Sequence, residues 1–413
     1  MFTVTVIVII TSIQTACANP CIDFSCNCQG TEVICNQKNL VDIPDGIPNT
    51  TTILFLSFNQ ISSLTANVFN DLGLLETLDL SNNQISIIAA DTFKDLVSLA
   101  TLDLSNNQIS VIAAETFKDL VLLATLDLSK NQISEITADT FKDLVSLATL
   151  DLRYNQISII AADTFKDIVS LVILDLSNNQ ISIIAADTFS DLVSLDYMDL
   201  SNNQISIIAA DTFKDLVSLV TLDLSNNQIS IIAADTFKDL VSLVTLSLFS
   251  NKISTLAPDT FKDLVSLESL FLNNNVLTTI SANIFRTMTN ISLLNMDINT
   301  LICCNMTDLI KWKASQTELN EVLGTCFDFN AITEINNFNI SNCTIPVDGQ
   351  WGSWSTKSCS VTCGSGTEYR YRICNNPSPS DGGKYCVGND TELSQCNLGD
   401  CPESCKKHKQ KFR

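Results

Sequence analysis

The sequence has one histidine in 413 residues, His408, and it stands in a run of lysines near the C-terminus. That scarcity excludes His-dependent triads, H-E-x-x-H zinc sites and a histidine general base held within a fold. No P-loop or dinucleotide fingerprint occurs. Carboxylates abound, but they recur on an open regular pattern, not in a closed dry pocket where a pKa is raised for catalysis. An enzyme, a cofactor and a metal centre are therefore not expected. Positive charge is also short: 23 Lys and Arg against 45 Asp and Glu leave a net charge of −22. This argues against nucleic acid and favours solubility and basic partners. The apolar run at residues 2–10 is too short to span a bilayer and no later run reaches the roughly 20 residues needed, so no span is expected. Residues 1–18 read as a secretory signal that ends in the small residues Ala16-Cys17-Ala18, although its start has no Lys or Arg. Cysteine is missing from the middle of the chain; the 16 cysteines cluster at the two ends, which points to an oxidising compartment and a secreted product.

One phrase fills the cysteine-free middle. Residues 101–122 read T-L-D-L-S-N-N-Q-I-S-V-I-A-A-E-T-F-K-D-L-V-L. Asparagine returns every 24 residues, at Asn59, Asn83, Asn107, Asn131, Asn155, Asn179, Asn203, Asn227, Asn251, Asn275 and Asn299, eleven units without a slip. Such a period marks a repeat architecture. Within a unit, Leu78 and Leu80 alternate as a short strand with both leucines inward. Stacked units set these strands side by side as a parallel sheet, about 4.8 Å apart. The asparagine column serves the buried backbone of successive turns, because its amide both donates and accepts. A phenylalanine column running from Phe69 to Phe285 at the same step fills the interior behind the sheet.

The frame L-x-x-L-x-L-x-x-N-x-I, seen at Leu75, Leu78, Leu80, Asn83 and Ile85, resembles the leucine-rich repeat family. The resemblance implies an α/β solenoid over residues 51–300, a curved horseshoe with its parallel sheet on the concave face. Exposed strand positions are where a ligand meets such a sheet. One column there is acidic: Asp79, Asp103, Asp127, Asp151, Asp175, Asp199 and Asp223. Two readings stand. Either L-D-L-S is simply common in the family, or the strip attracts a cationic ligand or Ca²⁺. Near-identical units present near-identical surfaces, so discrimination is expected where the copy breaks: Lys130, Arg153 and Tyr154, then Ile173, Asp196 and Tyr197, then Phe249 and Phe271. Lys130 and Tyr154 share a column and suit a cation–π pair or a basic-aromatic patch. Phe249 and Phe271 are expected on neighbouring strands within reach of each other. Drift on a tolerant surface is the alternative.

Cysteine-rich caps are expected to close both ends. The run Cys21-x4-Cys26-x-Cys28-x6-Cys35 is similar to the N-terminal cap of extracellular leucine-rich repeats, over residues 19–50, and the resemblance implies Cys21–Cys28 and Cys26–Cys35. Cys303, Cys304, Cys326 and Cys343 surround a plausible helix around Trp312 and resemble the C-terminal cap, over residues 301–345. Its adjacent first pair departs from the usual C-x-C; the resemblance implies Cys303–Cys326 and Cys304–Cys343. Residues 344–350 read as a linker. Trp351-Gly-Ser-Trp354, Cys359-Ser-Val-Thr-Cys363-Gly364 and Tyr369-Arg370-Tyr371-Arg372-Ile-Cys374, with Cys386, Cys396 and Cys401, look like a thrombospondin type-1 repeat over residues 346–402. This implies a small three-stranded module with Cys359–Cys396, Cys363–Cys401 and Cys374–Cys386, and a ladder of Trp351, Trp354, Arg370 and Arg372. It also implies C-mannosylation of Trp351 and O-fucosylation of Thr362. Lys357 stands where the family has a third tryptophan. In the basic tail, residues 403–413, Cys405 is left over and would link two chains or remain a thiol. Lys406 and Lys407, with Arg370 and Arg372, suit a heparin-like glycosaminoglycan. N-glycosylation sequons stand at Asn49, Asn290, Asn305, Asn339, Asn342 and Asn389, outside most of the array. The expected function is a secreted, non-enzymatic binding protein of the matrix or pericellular space, with an extracellular protein ligand on the concave face. A soluble innate-immune recognition protein and a disulfide-linked structural matrix component are the alternatives.

Overall fold

The structure, a computed structural model, describes Cys21 and residues 26–400, except 162, 234, 317, 318, 320, 329, 330, 341, 342, 344–346, 381 and 382. The expected signal, Cys401, Cys405 and the basic tail lie outside the described residues.

A 14-stranded sheet runs the length of the solenoid. Each unit gives it one three-residue strand, such as Thr77–Asp79 or Thr101–Asp103, with the central leucine fully buried and its two neighbours half-buried. Strands pair in parallel with no slip, Thr on Thr, Leu on Leu and Asp on Asp. A one-residue slip would turn the leucines out to water, so the buried face fixes the register. The return half of each unit is mostly turns. It includes further two-residue strands, such as Ile87–Ile88 and Ile207–Ile208, which pair with neighbouring units in parallel.

Behind the sheet the phenylalanines are 0–1% exposed, and most successive rings stack with centroids 5.7–6.4 Å apart. Parallel strands sit only about 4.8 Å apart. The layer behind is therefore spaced more widely than the strands, and the sheet lies on the inside of the curve.

Each asparagine ties its own unit to the one before. Asn83 Nδ2 donates to the Leu80 carbonyl of its own unit and to Leu56 of the unit before, at 3.1 and 3.0 Å, while its Oδ1 accepts from the Ile61 amide at 3.1 Å. The same three bonds recur along the array, for example at Asn155 and Asn227.

Both ends of the array are covered. An antiparallel hairpin, Asn27–Gln29 and Glu32–Ile34, pairs with Ile53–Phe55 and removes the open edge. It holds the disulfides Cys21–Cys28 and Cys26–Cys35. At the far end Glu321–Leu323 pairs with Leu293–Asn295, and the helix Thr307–Ala314 stacks Trp312 on the last phenylalanine, Phe285, at 4.8 Å. Cys303–Cys326 and Cys304–Cys343 close this cap. Beyond it Ser358–Cys359, Ser365–Tyr371 and Thr391–Asn397 form a small antiparallel three-stranded sheet, with disulfides Cys359–Cys396 and Cys374–Cys386. Cys363 is also disulfide-bonded; its expected partner Cys401 is outside the described residues. No helix among the described residues is long and apolar enough to cross a membrane.

Candidate functional site

The third position of the strands carries the aspartates, and the register sets them directly beside one another. Each has a structural bond first. Oδ1 accepts the amide two residues on: Ser81 from Asp79 at 2.9 Å, Ser129 from Asp127 at 2.8 Å, Ser201 from Asp199 at 2.7 Å. The carboxylate thus finishes the strand by bonding its own backbone, a habit of short acidic side chains at turns. Burial comes first in pushing Asp103 and Asp199 above the usual carboxylate range, and neighbouring aspartates add to it. For Asp151 the same causes push the carboxyl up to about 6, against Arg153, which lowers it.

Arg153 is the one cation set into this ladder. Its Nε lies 3.1 Å from Asp151 and its Nη1 3.9 Å from Asp175. Tyr197 starts the strand Tyr197–Asp199 and donates a long hydrogen bond, 3.4 Å, to Asp199 Oδ2. Burial, then Asp199, Asp175 and Asp223, push its phenol up to about 12.

Lys130 and Tyr154 do share a column, but it lies past the strand, in the turn before the buried asparagine. Their φ values are 53° and 54°, and Asn82, Asn106, Asn178, Asn202, Asn226 and Asn274 hold the same left-handed conformation in other units. Among the described residues the cation–π contacts all belong to the C-terminal module, so no such pair joins Lys130 to Tyr154. The expected Phe249–Phe271 pair is also corrected. Phe271 ends the strand Ser269–Phe271 opposite Ser247, whereas Phe249 lies two residues beyond the strand Thr245–Ser247. It shares its column with Arg153, not with Phe271. The strand stops at the aspartate position, a boundary that alternation alone does not mark.

Three further breaks escaped the sequence reading. Phe55 occupies the aspartate column at its first strand, beside Asp79. Phe58 and Ile298 occupy the Tyr154 column at the two ends, 55% and 64% exposed, with φ 57° and 51°. Counting 24 residues outward from Tyr154 finds Phe58 and Ile298, and the same count back from Asp151 finds Phe55. The acidic strip is therefore bordered by Phe55 at one end and by Ser247 at the other, with Phe271 one strand beyond Ser247.

In the small module Arg372 lies 4.5 Å from the Trp351 ring and 4.6 Å from Trp354, and Arg370 lies 4.8 Å from Trp354. Arg370 also pairs with Glu392 at 2.6 Å, and Arg372 Nε donates to the Asn389 carbonyl at 2.9 Å. Lys357 pairs with Glu368 at 2.9 Å and so joins no aromatic rung. Thr362 is exposed and Trp351 half-buried. Lys406 and Lys407 lie outside the described residues. The one cluster of metal-ligand residue types among the described residues is Cys304, Asp328 and Cys343; its two sulfurs are tied in a disulfide, leaving a single carboxylate.

Comparison with known proteins gives the same two parts. The leucine rich repeat model matches five overlapping segments that together cover residues 49–301, and the thrombospondin type 1 domain model matches residues 349–401. Stretches of the chain are similar to hemicentin-1 of Mus musculus, 48% identical over 71 residues, or 17% of this chain and 1% of that protein. Thrombospondin-1 of Xenopus laevis is 52% identical over 58 residues, 14% of this chain and 5% of that protein. Semaphorin-5A of Mus musculus is 50% identical over 72 residues, 17% and 6%. The chain thus spans only a small share of these relatives. Among solved structures, a chain in the octameric complex of Latrophilin 3 (Lec, Olf), Unc5D (Ig, Ig2, TSP1) and FLRT2 (LRR) superposes with a TM-score of 0.68 at 26% identity, covering 77% of this chain and 99% of that one. A leucine-rich repeat protein of Leptospira interrogans gives 0.56 at 26% identity, covering 66% and 72%. The chain belongs to the leucine-rich repeat family and carries a thrombospondin type 1 domain at residues 349–401.

Proposed function

We propose that this is a secreted adhesion or recognition protein of the matrix or pericellular space, which binds an extracellular protein on its concave face and is held near polyanions by its basic tail. Both domain types are binding modules, and one of the similar folds described above is a chain from a complex of several proteins. One observation carries the choice of site. Tyr154 is 53% exposed and is held at φ 54°, where asparagine is the default in this array. A left-handed conformation costs a non-glycine residue roughly 1–2 kcal/mol, least for asparagine. A bulky ring kept there, next to the bridging Arg153, is strain stored at an exposed spot. With Arg153 it forms a basic-aromatic spot beside the acidic strip, and an exposed aromatic beside an arginine suits an interface anchor.

The test uses Tyr154→Asn, which restores the repeat. A cell-surface and matrix screen with the purified protein supplies the ligand, and affinity is then compared. The expected result is at least about tenfold weaker binding, the 1.4 kcal/mol typical of a modest anchor, with an unchanged or higher melting temperature. Equal affinity in the variant rejects the site.

A further inference from the structure

The thrombospondin type 1 domain lies against the last units of the array. Arg372, Asp390 and Thr391 line a cleft together with Ile231 and Thr255. Gly383 and Tyr385 line a second cleft with Thr279, Asn305 and Asp308. Exposure along the flank records the contact. The equivalent residues Ile159 and Ile183 are 62% and 69% exposed, Ile207 falls to 39%, and Ile231 is half-buried. In the seam, burial pushes the Asp390 carboxyl up, hydrogen bonds from its own backbone and from Thr391 act against this, and the like charge of Asp259 on the array adds to the rise.

One residue in this seam is chemically out of place. Asn305 heads the sequon Asn305-Met306-Thr307, yet it is half-buried and Thr307 is 4% exposed. Asn49, Asn290, Asn339 and Asn389 are exposed, as a glycan acceptor in a folded protein needs to be. Because Thr307 is covered in the folded cap, sugar transfer to Asn305 has to precede folding of that cap. An oligosaccharide on Asn305 then occupies the space that Gly383 and Tyr385 fill when the module is docked.

We propose that Asn305 carries an N-linked oligosaccharide and that this glycan holds the thrombospondin type 1 domain off the array. The donor is an oligosaccharide on a lipid diphosphate. The C1–Nδ2 bond forms, the C1–O bond to the diphosphate breaks, the lipid diphosphate leaves and Nδ2 gives up one proton. Without the glycan the module seats on the flank and covers Ile231 and one face of Arg372. With it, both surfaces are open to partners.

This rests on the secretory reading, so the experiment separates the two. The full chain is expressed in secreting animal cells and collected from the medium, as wild type, as Asn305→Gln, and as wild type with its glycans trimmed after folding. Peptide mass reads occupancy at Asn305. Small-angle scattering reads the radius of gyration, and hydrogen exchange reads protection at residues 230–257. The expected result is an occupied Asn305, with a larger radius and lost protection in the glycosylated protein, both reversed by trimming and by Asn305→Gln. If Asn305→Gln does not fold, the trimmed protein makes the same comparison. An unmodified Asn305, or equal exchange with and without the glycan, overturns the proposal while secretion stands. Retention of every form inside the cell overturns the secretory reading, and this proposal with it.

Discussion

Asp151 sits between two jobs. Its Oδ1 accepts the Arg153 amide at 3.0 Å and so shapes the turn, while burial and its neighbours Asp127 and Asp175 disfavour its charge. The carboxyl is raised from 3.8 to about 6. A raised carboxyl takes up its proton in the folded state before the unfolded chain does. The folded state therefore binds more protons between those two values, and stability rises as pH falls through that window. At pH 7 the penalty is fully present; below pH 4 both states are protonated and it is gone. Asp151→Asn keeps the acceptor, as Asn295 does for the Asp297 amide at 3.2 Å. The variant is expected to be more stable than wild type at pH 7, by about 1 kcal/mol once solvent screening is allowed for. The gain should vanish at pH 4. Urea melts at the two pH values check this, and a less stable variant at pH 7 would show that the Arg153 ion pair outweighs the crowding of carboxylates.

At the scale of elements, the sheet was legible and the surface less so. Leu78, Asn83 and Phe93 recur at a fixed step, and each has a backbone or packing need that dictates its residue type. Strand, ladder and interior layer followed from that. The short strands of the return half, such as Ile87–Ile88, were not legible, because two residues carry no alternation. Phe249 was set on the strand for the same reason: a three-residue strand gives no signal for where it stops. In the thrombospondin type 1 domain the sequence placed the right residues in the ladder but gave no view of their partners. Arg370 and Lys357 are both paired with glutamates. Within residues 349–400 the cations Lys357, Arg370, Arg372 and Lys384 are outnumbered by Glu368, Asp381, Asp390, Glu392 and Asp400. A ladder with its charge already answered is a weak polyanion site, so the basic tail is expected to dominate. Ending the chain after Pro402 should abolish retention on heparin at physiological salt, whereas Arg370→Gln should change the eluting salt little. Retention that survives the truncation and is lost with Arg370→Gln would return the site to the ladder.

The whole molecule behaves as a line of units, each in contact with its two neighbours, and stability in such a line is close to a sum of unit and junction terms. The register makes this testable. Removing residues 180–203 joins Asn179 to Gln204 and restores the N-Q-I phrase. The strand Ile173–Asp175 then meets Thr221–Asp223, with leucine again facing leucine, and Phe165 faces Phe213. The asparagine bonds are re-formed as well. Asn227 Nδ2 would reach the carbonyl of Leu176 in place of Leu200, its present partner at 2.9 Å. The deletion also takes out Asp187, Asp191, Asp196 and Asp199, which relieves some of the self-repulsion of a strongly acidic chain. The shortened protein is expected to fold with one cooperative transition and a lower melting temperature, because one unit's burial is lost and nothing else is disturbed. Removing only residues 180–191 takes the return half of a unit with Phe189 and leaves its strand, so the next asparagine no longer meets a carbonyl at the right height. That protein is expected to lose cooperative unfolding. Circular dichroism with thermal melts on the two deletions decides the matter. If the full-unit deletion is no better folded than the half-unit one, the units are not interchangeable, and the irregular ones around Arg153 and Tyr197 hold the array together as well as marking its surface.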